Sequence, residues 1–141
     1  MHKLLEKLFW MSCHSFERTN TGTHFQSQKH TEQKNKLQKR GVYCKSCQAK
    51  ISAPSHAVEI KGAHQHRLTN PEGITFDIVI YSQVECLVAS EPIYEHTWFS
   101  GYAWQIVVCH HCKSHLGWCY IKNNSPDFFG LILNRIIIID T

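Results

Sequence analysis

Four of the seven cysteines in this 141-residue chain stand as two Cys-x-x-Cys pairs, Cys44-Lys-Ser-Cys47 and Cys109-His-His-Cys112. Each pair aims two thiolates at one point, so together they supply the four sulfurs that tetrahedral Zn²⁺ takes in a closed structural site. Redox chemistry would need only one such pair beside a βαβ pattern, and no such pattern is visible. A disulfide scaffold favours an even cysteine count in a short secreted chain, whereas Cys13, Cys86 and Cys119 are left over here with no mutual spacing. The reading is therefore one structural zinc on Cys44, Cys47, Cys109 and Cys112, with no open position for catalysis.

A second cluster surrounds the later knuckle. Three of the four tryptophans, Trp98, Trp104 and Trp118, lie close together in the segments His96-Thr-Trp-Phe-Ser-Gly-Tyr-Ala-Trp104 and His115-Leu-Gly-Trp-Cys-Tyr120. Indole rings are large flat walls, and three held at angles form a box for a small flat or cationic ligand. On spacing alone, an ordinary aromatic core is the better explanation, since aromatic rings dominate core packing as well. The same holds for any single histidine in a chain that has eleven.

The elements that must position these residues read as β. Ile74, Phe76, Ile78 and Ile80 alternate with Thr75, Asp77, Val79 and Tyr81, a period-2 strand with its heavier face inward. Before it, Asn70-Pro-Glu-Gly73 is a turn in which Pro71 sets φ and Gly73 tolerates φ > 0. Short apolar runs follow at 84–89, 104–109, 117–121, 128–133 and 136–139. Short strands separated by turns indicate antiparallel sheets. Helical patterning is confined to a short amphipathic stretch among the first dozen residues and a polar one at 31–39.

Length allows one domain plus a tail. Residues 1–40 carry eight basic against three acidic residues, while residues 41–141 carry seven against eight. The basic excess thus belongs to residues 1–40, read as a disordered leader, and the domain at 41–141 has no electrostatic footprint for nucleic acid. Lys3, Glu6 and Lys7 interrupt the leader's apolar cluster, so it lacks the core of a signal peptide. No stretch reaches the roughly twenty apolar residues of a membrane span. The lack of a clear signal peptide favours the cytoplasm or nucleus, and a monomer is expected.

The string His-x-Trp-Phe-x-Gly-Tyr-Ala-Trp, then Cys-x-x-Cys, Ser-His-x-Gly-Trp and a final Phe-Phe-Gly-Leu, resembles the CULT domain, the thalidomide-binding domain family of cereblon and its free-standing relatives. The resemblance runs from about Tyr43 to about Leu133. It implies an all-β fold, the β-tent, in which two antiparallel sheets meet at a steep angle and are pinned by one zinc. It further implies a cage of Trp98, Trp104 and Trp118 with Tyr120 as floor, at a position where the family usually has Phe. The implied ligand is a cyclic imide of the glutarimide or thalidomide type, or a cyclised C-terminal Asn or Gln on a modified protein. His96 and the backbone of Trp98 would read its polar edge, with Asn70 on a neighbouring loop. An imide presents acceptor, donor and acceptor in a row, which N–H, C=O and imidazole can match. A buried His96 aimed at the cage would otherwise need other partners. Glu72 and Ile74 replace a His and an aromatic residue of vertebrate cereblon, which argues against neosubstrate recruitment. Nothing in residues 1–40 resembles the segment that couples to a ubiquitin-ligase adaptor. Secretion, known among free-standing relatives, stays open.

Two other classes compete. Methionine sulfoxide reductases of the B type share the fold and knuckles, and Cys112-Lys-Ser-His-Leu-Gly117 resembles one of their segments. Their catalytic cysteine lies in an Arg-x-Cys-x-Asn context absent here. Cys119, the only cysteine after the second knuckle, lies between Trp118 and Tyr120, where alternation turns it away from the cage. No catalytic residue is assigned. The other class is an interaction module such as the Yippee group, or a reader of trimethyl-lysine, since cation–π attraction uses the same walls.

Overall fold

The computed structural model describes residues 11–12 and 39–141. Ten strands form two antiparallel sheets, with no α-helix among the described residues. The strands are β1 (Met11–Ser12), β2 (Gly41–Cys44), β3 (Lys50–Ser52), β4 (Gln65–Thr69), β5 (Thr75–Tyr81), β6 (Cys86–Val88), β7 (Ala103–Cys109), β8 (His115–Lys122), β9 (Ser125–Ile132) and β10 (Ile136–Ile139). The larger sheet runs β1-β6-β7-β8-β9-β5-β4 and the smaller β10-β2-β3. This is the all-β, two-sheet architecture expected from the sequence. The helical stretch expected in the first dozen residues lies outside the described residues except for Met11 and Ser12, which pair as strand with Val88 and Leu87. The polar stretch at 31–39 is described only at its last residue.

Alternation along the central strands divides the interior in two. Val79, Tyr81, Val107, Cys109, Cys119, Ile121, Phe129 and Leu131 turn one way and pack with Val42, Cys44, Ile51 and Ile136 of the smaller sheet. Ile78, Ile80, Tyr120, Phe128 and Ile132 turn the other way, onto Phe99 and the three indoles. The large sheet is therefore covered on both faces, by the zinc-side sheet and by the aromatic loop at 94–102. This corrects the one-sided reading of 74–81. From Ile78 to Tyr81 every residue is buried, while Ile74, placed on the heavier face, is 49% exposed.

Hairpin geometry follows local chemistry. Between β4 and β5 the Gly73 N–H donates to the Asn70 carbonyl at 2.9 Å, and Gly73 has φ of 86°, the left-handed value a side chain would resist. The Asn70 Oδ1 accepts from both Glu72 and Ile74 N–H groups at 2.9 Å, which stiffens the loop from within. No helix among the described residues is long and apolar enough to cross a membrane.

Candidate functional site

The two knuckles are copies of one backbone motif. In the first, the Cys44 N–H donates to the Ala49 carbonyl at 2.8 Å and the Gln48 N–H donates back to Cys44 at 2.7 Å. In the second, Cys109 donates to Ser114 at 2.9 Å and Lys113 donates to Cys109 at 3.0 Å. Gln48 and Lys113 occupy the same place in each turn and share a positive φ of 67° and 66°. Cys44 ends β2 and Cys109 ends β7, so the knuckles tie the smaller sheet to the larger.

All four Sγ atoms lie within 4.8 Å of one another. Cys44 to Cys112 is 3.7 Å and Cys47 to Cys109 is 3.6 Å. A tetrahedron with zinc–sulfur bonds of about 2.3 Å has edges of about 3.8 Å, so these separations suit zinc. Burial pushes the Cys109 thiol up to about 12. Burial acts the same way on Cys112, but hydrogen bonds with the Ser114 side chain and backbone, and with Cys44 and Cys47, outweigh it and bring that thiol down to about 6. One sulfur is thus poised as thiolate, while a cation is needed to draw the proton from its buried neighbour. Ser114, whose Oγ lies 3.3 Å from Cys112 Sγ and 3.6 Å from Cys44 Sγ, supports the site from outside the tetrad. Reading only cysteines and histidines passes over it.

On the opposite face of the large sheet, Asn70, Pro71, His96, Trp98, Trp104, Trp118 and Tyr120 line a cavity of about 80 Å³. All six residues expected at the ligand site meet there, and Pro71 joins them. Trp118 and Tyr120 are i and i+2 on β8, and Trp104 pairs directly with Tyr120 across β7 and β8. Trp98 and Trp118 meet edge-to-face at 5.1 Å, with Phe76 edge-on to Trp118 at 5.2 Å. Main-chain carbonyls hold two of the walls. The Trp98 Nε1–H donates to Thr69 at 3.0 Å and the Trp104 Nε1–H to Glu95 at 2.9 Å. These two indoles therefore offer a ligand carbon surface and no donor. The cavity is far below the ~300 Å³ at which drug-sized pockets begin, so it suits one small ring.

His96 departs from expectation. It is exposed at the rim, with φ of 59°, and is not the buried residue the sequence reading placed at the cage. Asn70 has spent its carbonyl oxygen on the loop, which leaves its amide N–H groups for a ligand. Cys119 is fully buried in the zinc-side core, away from the cavity.

A larger hollow of about 360 Å³ lies between β3 and the 83–85 segment, lined by Lys50, Ser52, His56, Gln83 and Glu85 among others. It has no tryptophan, tyrosine or phenylalanine wall, and none of the residues expected at the ligand site lines it, so size here does not mark the site.

Residues 40–131 match the family described as Yippee zinc-binding/DNA-binding /Mis18, centromere assembly. The chain belongs to the Yippee-Mis18 family. Among curated relatives, this Yippee-Mis18 protein is similar to protein cereblon of Gallus gallus, 34% identical over 73 residues, which cover 48% of this chain and 16% of the relative. Protein cereblon of Drosophila melanogaster is 30% identical over 97 residues, 63% of this chain and 17% of the relative. That of Danio rerio is 33% identical over 73 residues, 48% and 17% respectively. The chain thus spans about a sixth of the length of these relatives.

One more group of this Yippee-Mis18 domain stands behind the cavity wall. His115 packs edge-on against Trp118 at 5.2 Å, and its Nε2–H donates to the Gly117 carbonyl at 3.1 Å. Burial lowers its pKa to about 4, against the Gly117 hydrogen bond that raises it, so it is neutral at pH 7. A neutral ring can sit behind the indole without placing a charge beside the cavity.

Proposed function

We propose that this chain is a CULT-like ligand-recognition domain, residues 41–141 following a basic leader at 1–40, that binds small neutral cyclic imides without catalysis. One structural zinc on Cys44, Cys47, Cys109 and Cys112 holds the two sheets together. Trp98, Trp104, Trp118 and Tyr120 enclose the ring, and His96, Asn70 and the Trp98 backbone take its polar edge. The observation that carries this reading is the lining of the cavity, three indoles and a phenol beneath a rim of His96 and Asn70. The similarity to cereblon supports it. The physiological ligand on this reading is a small imide or a protein C-terminus bearing a cyclised Asn or Gln.

The same lining contains no carboxylate. A methylated lysine would gain cation–π attraction alone and would have to shed its hydration into a space of about 80 Å³. A neutral ring carries no such charge. A reductase would need a thiol at the cavity, and the residues that line it include no cysteine. The deciding measurement is quenching of tryptophan fluorescence in the zinc-loaded chain on titration with glutarimide and, separately, with trimethyl-lysine peptide. Saturable quenching by glutarimide alone is expected. Its absence in folded, zinc-loaded protein would refute the proposal.

A further inference from the structure

Tyr120 carries a group that the cage reading leaves unused. The side chain is 1% exposed, yet its hydroxyl makes no hydrogen bond to any described residue. Its ring neighbours are Phe99 at 4.9 Å, edge-on, and Phe128 at 5.0 Å, stacked. A methyl group built on Gly130 would stand 3.4 Å from the ring, so the β9 backbone flanks it on that side. None of these contacts offers an oxygen or nitrogen side-chain acceptor. Burial raises the phenol pKa, with the neighbouring Cys119 adding to the effect, so the hydroxyl remains protonated and a donor. A buried hydroxyl without a partner is costly, and native interiors rarely leave one so. The volume where a partner can sit is the cavity that Tyr120 lines.

Position fixes which part of a ligand that partner would be. His96 and Pro71 are exposed at the rim, whereas Tyr120 is the most deeply buried residue of the lining. A ring whose imide edge is read at the rim turns its opposite edge toward Tyr120. In glutarimide that opposite atom is a methylene carbon, which can accept nothing. In morpholine-3,5-dione it is an ether oxygen, and in piperazine-2,6-dione an amine nitrogen.

We infer that the Tyr120 hydroxyl is a specificity-determining donor at the cavity floor, selecting imide rings with a hydrogen-bond acceptor opposite the imide nitrogen over all-carbon rings. The assignment rests on the cyclic-imide reading above. It makes the cavity a two-ended polar site, with the imide read at the rim and a heteroatom at the floor. The aromatic walls between them provide the apolar contact.

The test compares glutarimide with morpholine-3,5-dione on the zinc-loaded full chain and on Tyr120→Phe, reading Kd from tryptophan quenching. The ratio of the two affinities within one protein cancels any general loss of folded material. Removing an acceptor's partner in a buried site is worth roughly tenfold in affinity. The ratio in favour of morpholine-3,5-dione is therefore expected to fall about tenfold from wild type to Tyr120→Phe. An unchanged ratio would overturn the inference while leaving imide binding intact, and would mean that an ordered water satisfies the hydroxyl. Failure of wild type to bind either ring would instead bring down the cyclic-imide reading, and this assignment with it.

Discussion

Gly117 and Gly130 occupy adjacent rungs of the same ladder, Gly117 opposite Leu131 and Trp118 opposite Gly130, yet alanine should affect them very differently. A Cβ on Gly117 would fall well inside contact distance of the Gly130 carbonyl oxygen and 3.0 Å from both that carbonyl carbon and the Leu131 Cα. These are backbone atoms, so β8 and β9 must part by about 1 Å, enough to take a ladder hydrogen bond out of range. Overpacking costs about 1–3 kcal/mol, and one or two buried polar groups left without partners add about 1–3 kcal/mol. We expect Gly117→Ala to destabilise by about 3–5 kcal/mol, a large part of the ~5–15 kcal/mol available to a domain. A Cβ on Gly130 meets the end of a side chain instead, Ile78 Cδ1 at 2.8 Å, which can rotate away. Removing a flexible glycine from a strand recovers part of that cost, so Gly130→Ala should change stability by about 1 kcal/mol or less. The assay is urea unfolding followed by tryptophan fluorescence at fixed excess zinc. With slopes of about 1–3 kcal/mol/M, the two midpoints should differ by at least about 0.7 M. Equal midpoints would refute the close-approach argument and the β8–β9 register on which the Trp118 wall depends.

Trp104→Ala should abolish glutarimide quenching while far-UV circular dichroism stays close to wild type, because the indole is only partly buried. Cys109→Ser removes a ligand from a tetrad that joins the sheets, so zinc content should fall and the domain should unfold, as it should when wild type is treated with a strong chelator. Asn70→Ala frees two N–H groups of the 70–74 loop and should cost about 1 kcal/mol, with imide affinity reduced in parallel. His115 has a folded-state pKa of about 4 against an ordinary value of 6.5, so the unfolded chain binds its proton first on acidification. Its contribution is present in full above pH 6.5 and is lost as pH falls toward 4, up to about 3 kcal/mol. Unfolding curves of His115→Gln between those pH values should lack that part of the slope.

The metal tetrad was legible because its signal is local and stated twice, once in each knuckle. Trp118 and Tyr120 were legible as a pair because a strand places i and i+2 on one face. β3 and β4 were not. Lys50-Ile-Ser52 is short, and Gln65-His-Arg-Leu-Thr69 has a single apolar residue, so each becomes a strand through pairing with its neighbour and not through its own pattern. The two-sided burial of Ile78 to Tyr81 depends on the smaller sheet packing behind it, which no local pattern in 74–81 encodes. The carbonyls that hold the indoles were also hidden. Thr69 lies twenty-nine residues from Trp98, and a carbonyl leaves no mark in residue type. His96 is exposed in a loop where its backbone is left-handed, and the family motif gives only its identity.

From Trp118 to Ile121, β8 gives alternate residues to two cores, Cys119 and Ile121 to the zinc side and Trp118 and Tyr120 to the cavity. A codon inserted or deleted between Cys112 and Trp118 would therefore do more than lengthen or shorten a loop. If β8 kept its pairing, the shift would turn the indole and phenol toward the metal-side core and bring a thiol to face the cavity. Substitutions can alter the two faces one at a time, but a change of length in this segment strikes both together. Gene variants with in-frame indels here should be lost even where each face alone tolerates mutation.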